Sequence, residues 1–193
     1  MEPFLNVTTG QSGDSHCKVV SHGGRRQHDI EKLIFDASAW VPNNPSLPVL
    51  LYRGVFITKD GSEEFARLFA SHGWTGLWRN GVFDYQHYHS GAHEVLGVGK
   101  GHAKLLIGGP DGNEIDLSAG DCILLPAGTG HMRIDASDDF EVVGAYPSGQ
   151  EADIQTSPPS KAVCARIARL HLPETDPVQG TSGPAVVAWS RPI

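Results

Sequence analysis

The chain has 193 residues, 39% of them apolar and 19% charged, which suits one domain with a real core and excludes a disordered chain. Asp and Glu outnumber Lys and Arg by 22 to 15, a formal net charge of −7, and the only dense basic spot is Arg25-Arg26, so no nucleic-acid partner is expected. Cys17, Cys122 and Cys164 are too few and too far apart for a disulfide framework or a cysteine zinc site. No apolar stretch approaches the length of a membrane span, and the expectation is a soluble cytoplasmic protein with no membrane partner.

Residues 1–29 are rich in Gly, Ser, Thr, His and Asn without periodicity and read as a flexible arm. The rest, 30–193, reads as a single domain with a core at about 47–147 and a C-terminal extension at 148–193. Trp40 to Pro45 is expected as extended loop, and the apolar run Leu47 to Thr58 as a strand. Ser62-Glu63-Glu64-Phe65 opens a helix over 62–72. Ser62 suits its cap, and the two acids suit its positive end. Phe65, Leu68 and Phe69 share one face, and Gly73 suits the position past the end.

From residue 82 the pattern changes to short strands, expected at 82–89, 94–99, 103–107, 113–117, 121–125, 131–135 and 140–146. Gly108-Gly109-Pro110-Asp111-Gly112 is a hairpin turn. A short helix is expected within 158–170, and Leu172 to Pro177 as extended tail. The fold class is mainly all-β, a sandwich or barrel with a few short peripheral helices.

His87 and His89 stand two apart, so in an extended segment they share one face. The turn Ser90-Gly91-Ala92 returns the chain, and Glu94 begins the next strand at the same end. Two imidazoles and a carboxylate converging in this way suit a non-haem iron or related metal. His131 follows the tight turn Pro126-Ala127-Gly128-Thr129-Gly130 and is the natural fourth ligand once the barrel closes.

These residues resemble the two cupin motifs. Gly81, His87-Tyr88-His89, Glu94 and Gly101 match the first, and Gly120 with Pro126 to His131 matches the second. The resemblance implies a double-stranded β-barrel of jelly-roll type, with His87, His89, Glu94 and His131 as ligands to one divalent transition metal: Fe, Mn, Ni, Zn or Cu. One departure is Asp135, where the second motif often has Asn. A closer resemblance, over about 40–189, is to the YjlB-like single-domain cupins. It rests on Trp78-Arg79-Asn80-Gly81, His93-Glu94-Val95-Leu96-Gly97, Gly144-Ala145-Tyr146-Pro147 and Leu172 to Pro177. It implies the fold and names no activity.

Several positions carry two readings. A metal-free barrel that uses its histidines as bases competes with the metal centre. His93 and Glu94 are neighbours, so only one points inward in a regular strand; spacing favours Glu94 and leaves His93 a supporting or outer role. Arg133 shares the parity of His131 and is a candidate clamp for a substrate carboxylate, against a rim salt bridge with Asp135 or Asp138. Phe83 and Tyr85 share the face of His87 and read first as packing that lines the interior, against a role for the Tyr85 hydroxyl in orienting a ligand. The catalytic candidates are therefore Glu94, Arg133 and Tyr85. The leading function is a metal-dependent enzyme, a dioxygenase or an isomerase or lyase, acting on a small polar molecule, a carboxylate-bearing one if Arg133 faces inward. The alternative is a non-catalytic small-ligand-binding cupin. A homodimer is expected, with the apolar run at 47–58 as the edge or face that needs cover.

Overall fold

The computed structural model describes residues 30–190, so the arm expected at 1–29, with Cys17, lies outside the described residues. In chain order the elements are β1 (Ile30–Leu33), β2 (Val49–Tyr52), α1 (Ser62–Ser71), β3 (Trp74–Asn80), β4 (Glu94–Lys100), β5 (His102–Ile107), β6 (Asn113–Ser118), β7 (Cys122–Leu125), β8 (His131–Ala136), β9 (Glu141–Pro147), α2 (Lys161–Arg169) and α3 (Pro184–Ala188). All strand pairs are antiparallel. One sheet has the order β1-β2-β7-β4-β9-β3 and the other β6-β5-β8. The two sheets face each other as an open jelly roll.

Side chains alternate across a strand, and here that alternation sorts two cores. Val49, Leu51, Leu96, Val98, Ile123, Leu125 and Val142 leave the larger sheet on its inner side and meet Leu105, Ile107, Ile115 and Leu117 of the smaller one. The intervening residues, Leu50, Tyr52, Val95, Cys122, Leu124, Val143 and Ala145, face outward onto Phe65 and Phe69 of α1 and onto Val178, Ala185 and Trp189 of the C-terminal segment. The larger sheet is thus buried on both faces. That explains why Cys122-Ile123-Leu124-Leu125 is apolar at every position instead of at alternate ones. Each such side chain contributes about 1.5–3 kcal/mol of burial.

The helix at 62–72 is borne out as α1, and Gly73 closes it with φ +78°. Its cap differs from expectation. Gly61 holds the cap position, the Asp60 carboxylate accepts from the Ser62 N–H at 3.3 Å, and the Ser62 hydroxyl instead donates to Glu141 at 2.6 Å. The expected helix within 158–170 is α2, where Ser160 accepts from the Val163 N–H. The turn at 108–112 joins β5 to β6 with positive φ at Gly108 and Gly109.

Three expectations are corrected. The run 47–58 is a strand only at Val49–Tyr52, because Gly54 turns the chain with φ +58°. Val49–Tyr52 lies buried between β1 and β7 and so offers no edge to a second copy, while Ile57, past the turn, is exposed. Residues 82–89 form no strand. The edge strand is β3, hidden in the sequence by a bulge between Thr75 and Trp78 that breaks its alternation.

Candidate metal centre

The segment 87–89 is extended although it belongs to no strand, because it is bonded on both sides. The His87 N–H donates to the His131 carbonyl at 3.2 Å, and the His131 N–H donates back at 2.9 Å. Tyr88 exchanges the same pair of bonds with Gln155, at 3.0 and 2.9 Å. His87 and His89 therefore share a side, and the rings of His87 and His131 come within 4.1 Å of each other. Pairing to β8 and to 155, not a hairpin through 90–92, makes this arrangement.

The turn before His131 is held from outside. Asn43 donates to the Gly108 carbonyl at 2.8 Å and accepts from the Gly130 N–H at 3.1 Å. A Cβ at Gly130 would stand 2.4 Å from Gln86 Nε2 and 2.6 Å from Val41, so only glycine fits there.

Glu94 opens β4 on its inner side, in line with Leu96. His93 points the other way. It accepts from the Ala127 N–H at 3.0 Å, and its ring lies 4.8 Å from that of Trp189. Parity alone thus separates the two neighbours as expected, and His93 takes the outer role.

Three buried imidazoles face one another, and the buried Glu94 carboxylate stands beside two of them. The Nε2 atoms of His89 and His131 each lie 3.3 Å from Glu94 Oε2, and His87, His89 and His131 offer nitrogens within 4.8 Å of one another. Each ring is turned by a backbone carbonyl. His87 Nδ1 meets the Tyr85 carbonyl at 3.1 Å, His89 Nδ1 that of Asp153 at 2.5 Å, and His131 Nδ1 that of Thr129 at 3.1 Å. A carbonyl only accepts, so each Nδ1 carries a proton and each Nε2 is the nitrogen turned inward; it is bare on the neutral His87, while on His89 it also carries a proton towards Glu94 in the metal-free protein. Glu94 Oε2 is buried without a well-aligned donor, and its contacts are the two imidazole nitrogens at 3.3 Å. Two ligands about 2.1 Å from one ion lie about 3.0–3.4 Å apart, so these residues fit a divalent metal in spacing and in donor type.

The field of the cluster is consistent with that. Burial first, then the neighbouring His131, pushes the His87 imidazole down to about 3, so it stays neutral. Burial opposes the charged form of His89, but the Glu94 carboxylate outweighs it and lifts the group to about 9. Burial likewise opposes the Glu94 carboxylate, and His89 with His131 outweighs it, holding Glu94 well below the usual carboxylate range.

The cluster forms the floor of a cavity of about 330 Å³ whose walls include Trp78, Phe83, Leu96, Tyr146 and Ile154. A larger hollow of about 570 Å³, between residues 42–47 and α2, has no titratable group on its walls except Cys164 and lies away from the chemistry. Tyr85 is 42% exposed, stacks on Phe83, and meets His87 both with its carbonyl and ring to ring at 5.6 Å. Arg133 is half-buried in β8, its N–H donates to the Phe83 carbonyl at 2.8 Å, and it is not one of the cavity-lining residues.

Two supporting residues escaped the sequence reading. Asp153 holds His89 through its carbonyl. Its carboxylate accepts from the N–H groups of Ser90 and Gly91 at 2.7 and 2.8 Å, from the Ser90 hydroxyl at 2.6 Å, and from Gln155 and Arg166 at 2.7 and 2.6 Å. Nothing periodic marks that stretch of chain. Tyr146 shares the parity of Val142 on β9, which is the signal that would have found it.

The Cupin domain family matches residues 77–143. The uncharacterized protein YjlB of Bacillus subtilis (strain 168) is 34% identical over 167 residues, covering 86% of this chain and 99% of that protein. Two solved structures are similar over shorter stretches. One is the acireductone dioxygenase of Bacillus anthracis with a cadmium ion in its active centre, at 24% identity and a TM-score of 0.32, over 50% of this chain and 60% of that one. The other is procruciferin, the 11S globulin of Brassica napus, at 17% identity and a TM-score of 0.35, over 62% of this chain and 29% of that one. At these scores neither solved structure bears on what the site does.

Proposed function

The chain belongs to the YjlB group of cupins, and from that premise we propose that it is a metal-dependent enzyme acting on a small polar molecule. His87, His89, Glu94 and His131 hold one divalent transition metal, Fe, Mn, Ni, Zn or Cu. The observation that carries this reading is the set of three Nδ1 contacts to backbone carbonyls, which turns three Nε2 atoms inward beside a buried carboxylate, a donor set that takes a metal once His89 gives up its second proton. Such an ion supplies Lewis acidity or redox chemistry, as an isomerase or lyase, or a dioxygenase, requires.

The chain's own residues fix the ligand rings, keep water from the floor of the cavity and present apolar walls to the substrate. Arg133 lies outside the cavity lining, so parity no longer supports it as the clamp for a substrate carboxylate; that role is kept only as a test, in which Arg133→Leu would have to weaken small carboxylates at constant metal content in this reading. Tyr85 belongs to it only as a rim residue. The apolar walls of a small cavity also suit a non-catalytic binder, and turnover on a substrate panel separates the two.

A homodimer is part of the proposal, through a surface other than β2, and light scattering tests it. No helix of the described residues is long and apolar enough to cross a membrane; the cytoplasmic assignment stays a proposal that fractionation tests.

The deciding experiment is metal analysis of untagged protein. Roughly one ion per chain is expected, and its loss in the His87→Ala, His89→Ala double variant. Full metal in that variant would end the reading.

A further inference from the structure

Two aromatic side chains beside the centre sit in reciprocal glycine seats. Trp78 of β3 pairs with Gly144 of β9, and a Cβ on Gly144 would stand 2.1 Å from the Trp78 indole. Gly76, in the bulge of β3 with φ +63°, leaves the space that the Tyr146 ring takes; a Cβ there would lie 3.0 Å from that ring. Each ring thus fills the place of a side chain the opposite strand lacks. The pair is fixed in position without help from any loop.

The hydrogen bond between them has a direction. The Trp78 indole N–H can only donate, and it donates to the Tyr146 hydroxyl oxygen at 2.8 Å. The phenol therefore keeps its own proton, and the neighbouring Glu94 carboxylate is the group placed to accept it in the metal-free protein. Tyr146 lines the cavity with Glu94 and the three imidazoles, its ring 6.4 Å from that of His89. Beyond it the wall turns apolar, with Phe83, Leu96 and Ile154. Arg79, also at this cavity, is already paired to Glu63 at 2.5 Å.

We propose that Tyr146 is a binding residue whose hydroxyl donates to an oxygen of the bound small molecule, and that the cavity takes a carboxylate or similar oxyanion joined to an apolar arm. This rests on the reading above to one extent: with Glu94 committed to an ion, the phenol proton is left for the guest oxygen. One fixed donor sets the orientation, and the apolar wall selects the arm. Few polar groups then suffice, as is usual for a pocket of this size.

Benzoate and acetate are the probes, titrated calorimetrically into the full-length protein with its metal and again after chelation. Wild type is expected to bind benzoate, and Tyr146→Phe, which keeps the ring in its seat, to bind it about tenfold more weakly. Metal content stays as in wild type, and the melting temperature falls by only a few degrees, because the Trp78 N–H loses its acceptor. Acetate, which lacks the arm, binds at least about tenfold more weakly than benzoate. Equal benzoate affinity in Tyr146→Phe and wild type, or no benzoate binding by wild type, overturns the assignment. Equal affinity for acetate and benzoate overturns the apolar arm. A protein that takes no metal, yet loses benzoate affinity in Tyr146→Phe, upholds Tyr146 and defeats the metal reading instead.

Discussion

Two carboxylates are buried on opposite sides of the larger sheet, and they are treated in opposite ways. On the outer side Asp176 is fully enclosed, and both of its oxygens are satisfied. The N–H groups of Val178 and Gln179 donate to Oδ1, each at 2.8 Å; the Tyr52 hydroxyl at 2.6 Å and the Ala185 N–H at 2.8 Å donate to Oδ2. On the inner side Glu94 is as deeply buried, yet its Oε2 has no well-aligned donor, only two imidazole nitrogens at 3.3 Å. A buried carboxylate so poorly satisfied destabilises a fold, so it persists where something else uses it. Asp176 fastens the C-terminal segment to β2. Glu94 keeps a lone pair available.

The contrast breaks first at Asp176. Asp176→Ala strips four donors of their acceptor inside the outer core and is expected to cost roughly 3–5 kcal/mol. Urea unfolding without metal measures it. A loss under about 1 kcal/mol would mean that the segment from 172 onward is not anchored there.

The second effect is metal-dependent. At a metal concentration of 100 to 1,000 times the dissociation constant, wild type gains about 2.7–4.1 kcal/mol of stability. The His87→Ala, His89→Ala variant is expected to gain nothing. Paired thermal melts with and without metal read the difference.

Asp153 comes third, because it touches the centre through His89 only. Asp153→Ala releases Ser90 and Gly91, loosens the carbonyl that orients His89, and is expected to weaken metal binding about 10–100-fold. Its pH signature has a definite sign. Burial opposes the Asp153 carboxylate, but the Ser90 hydroxyl and N–H, Gln155 and Gly91 outweigh it and hold the group well below its ordinary 3.8. A folded value below the unfolded one means stability that is complete above about pH 4 and lost as the pH falls further. Asp153→Asn should flatten the acid limb of the metal-free stability curve. An unchanged limb would show that another carboxylate sets it.

How much of this was legible depended on which period the chain obeyed. The ligands were readable because His87 and His89 keep strand spacing and Glu94 keeps parity with Leu96, so alternation alone placed them inward and His93 outward. β3 was not readable, because the bulge at Gly76 removes the period that would announce it. The segment 82–89 misled for the opposite reason: it alternates like a strand but pairs only at His87 and Tyr88. Asp153, Asp176 and Trp189 lie in aperiodic chain, where function comes from distant partners that no local pattern encodes. The inward parity of Arg133 did not bring it to the cavity wall. A register shift between Lys104 and Leu105, opposite Asp135 and Arg133, ends regular alternation there.

The smallest expected effect is the sharpest test of the comparison. Glu94→Gln keeps the shape of the side chain and removes its charge. Without metal, the carboxylate's attraction to His89 is offset by the burial of both groups. When the carboxylate goes, His89 loses the partner that lifts it and sheds its proton, so no uncompensated charge stays behind. The net change at neutral pH is expected within about 1 kcal/mol, against roughly 3–5 for Asp176→Ala. With metal in excess the same variant should fall well short of the wild-type gain, because a neutral amide is a poor substitute for a carboxylate ligand. A metal-free loss as large as that of Asp176→Ala would make Glu94 a structural anchor like its counterpart, and the unsatisfied oxygen would no longer argue for a bound ion.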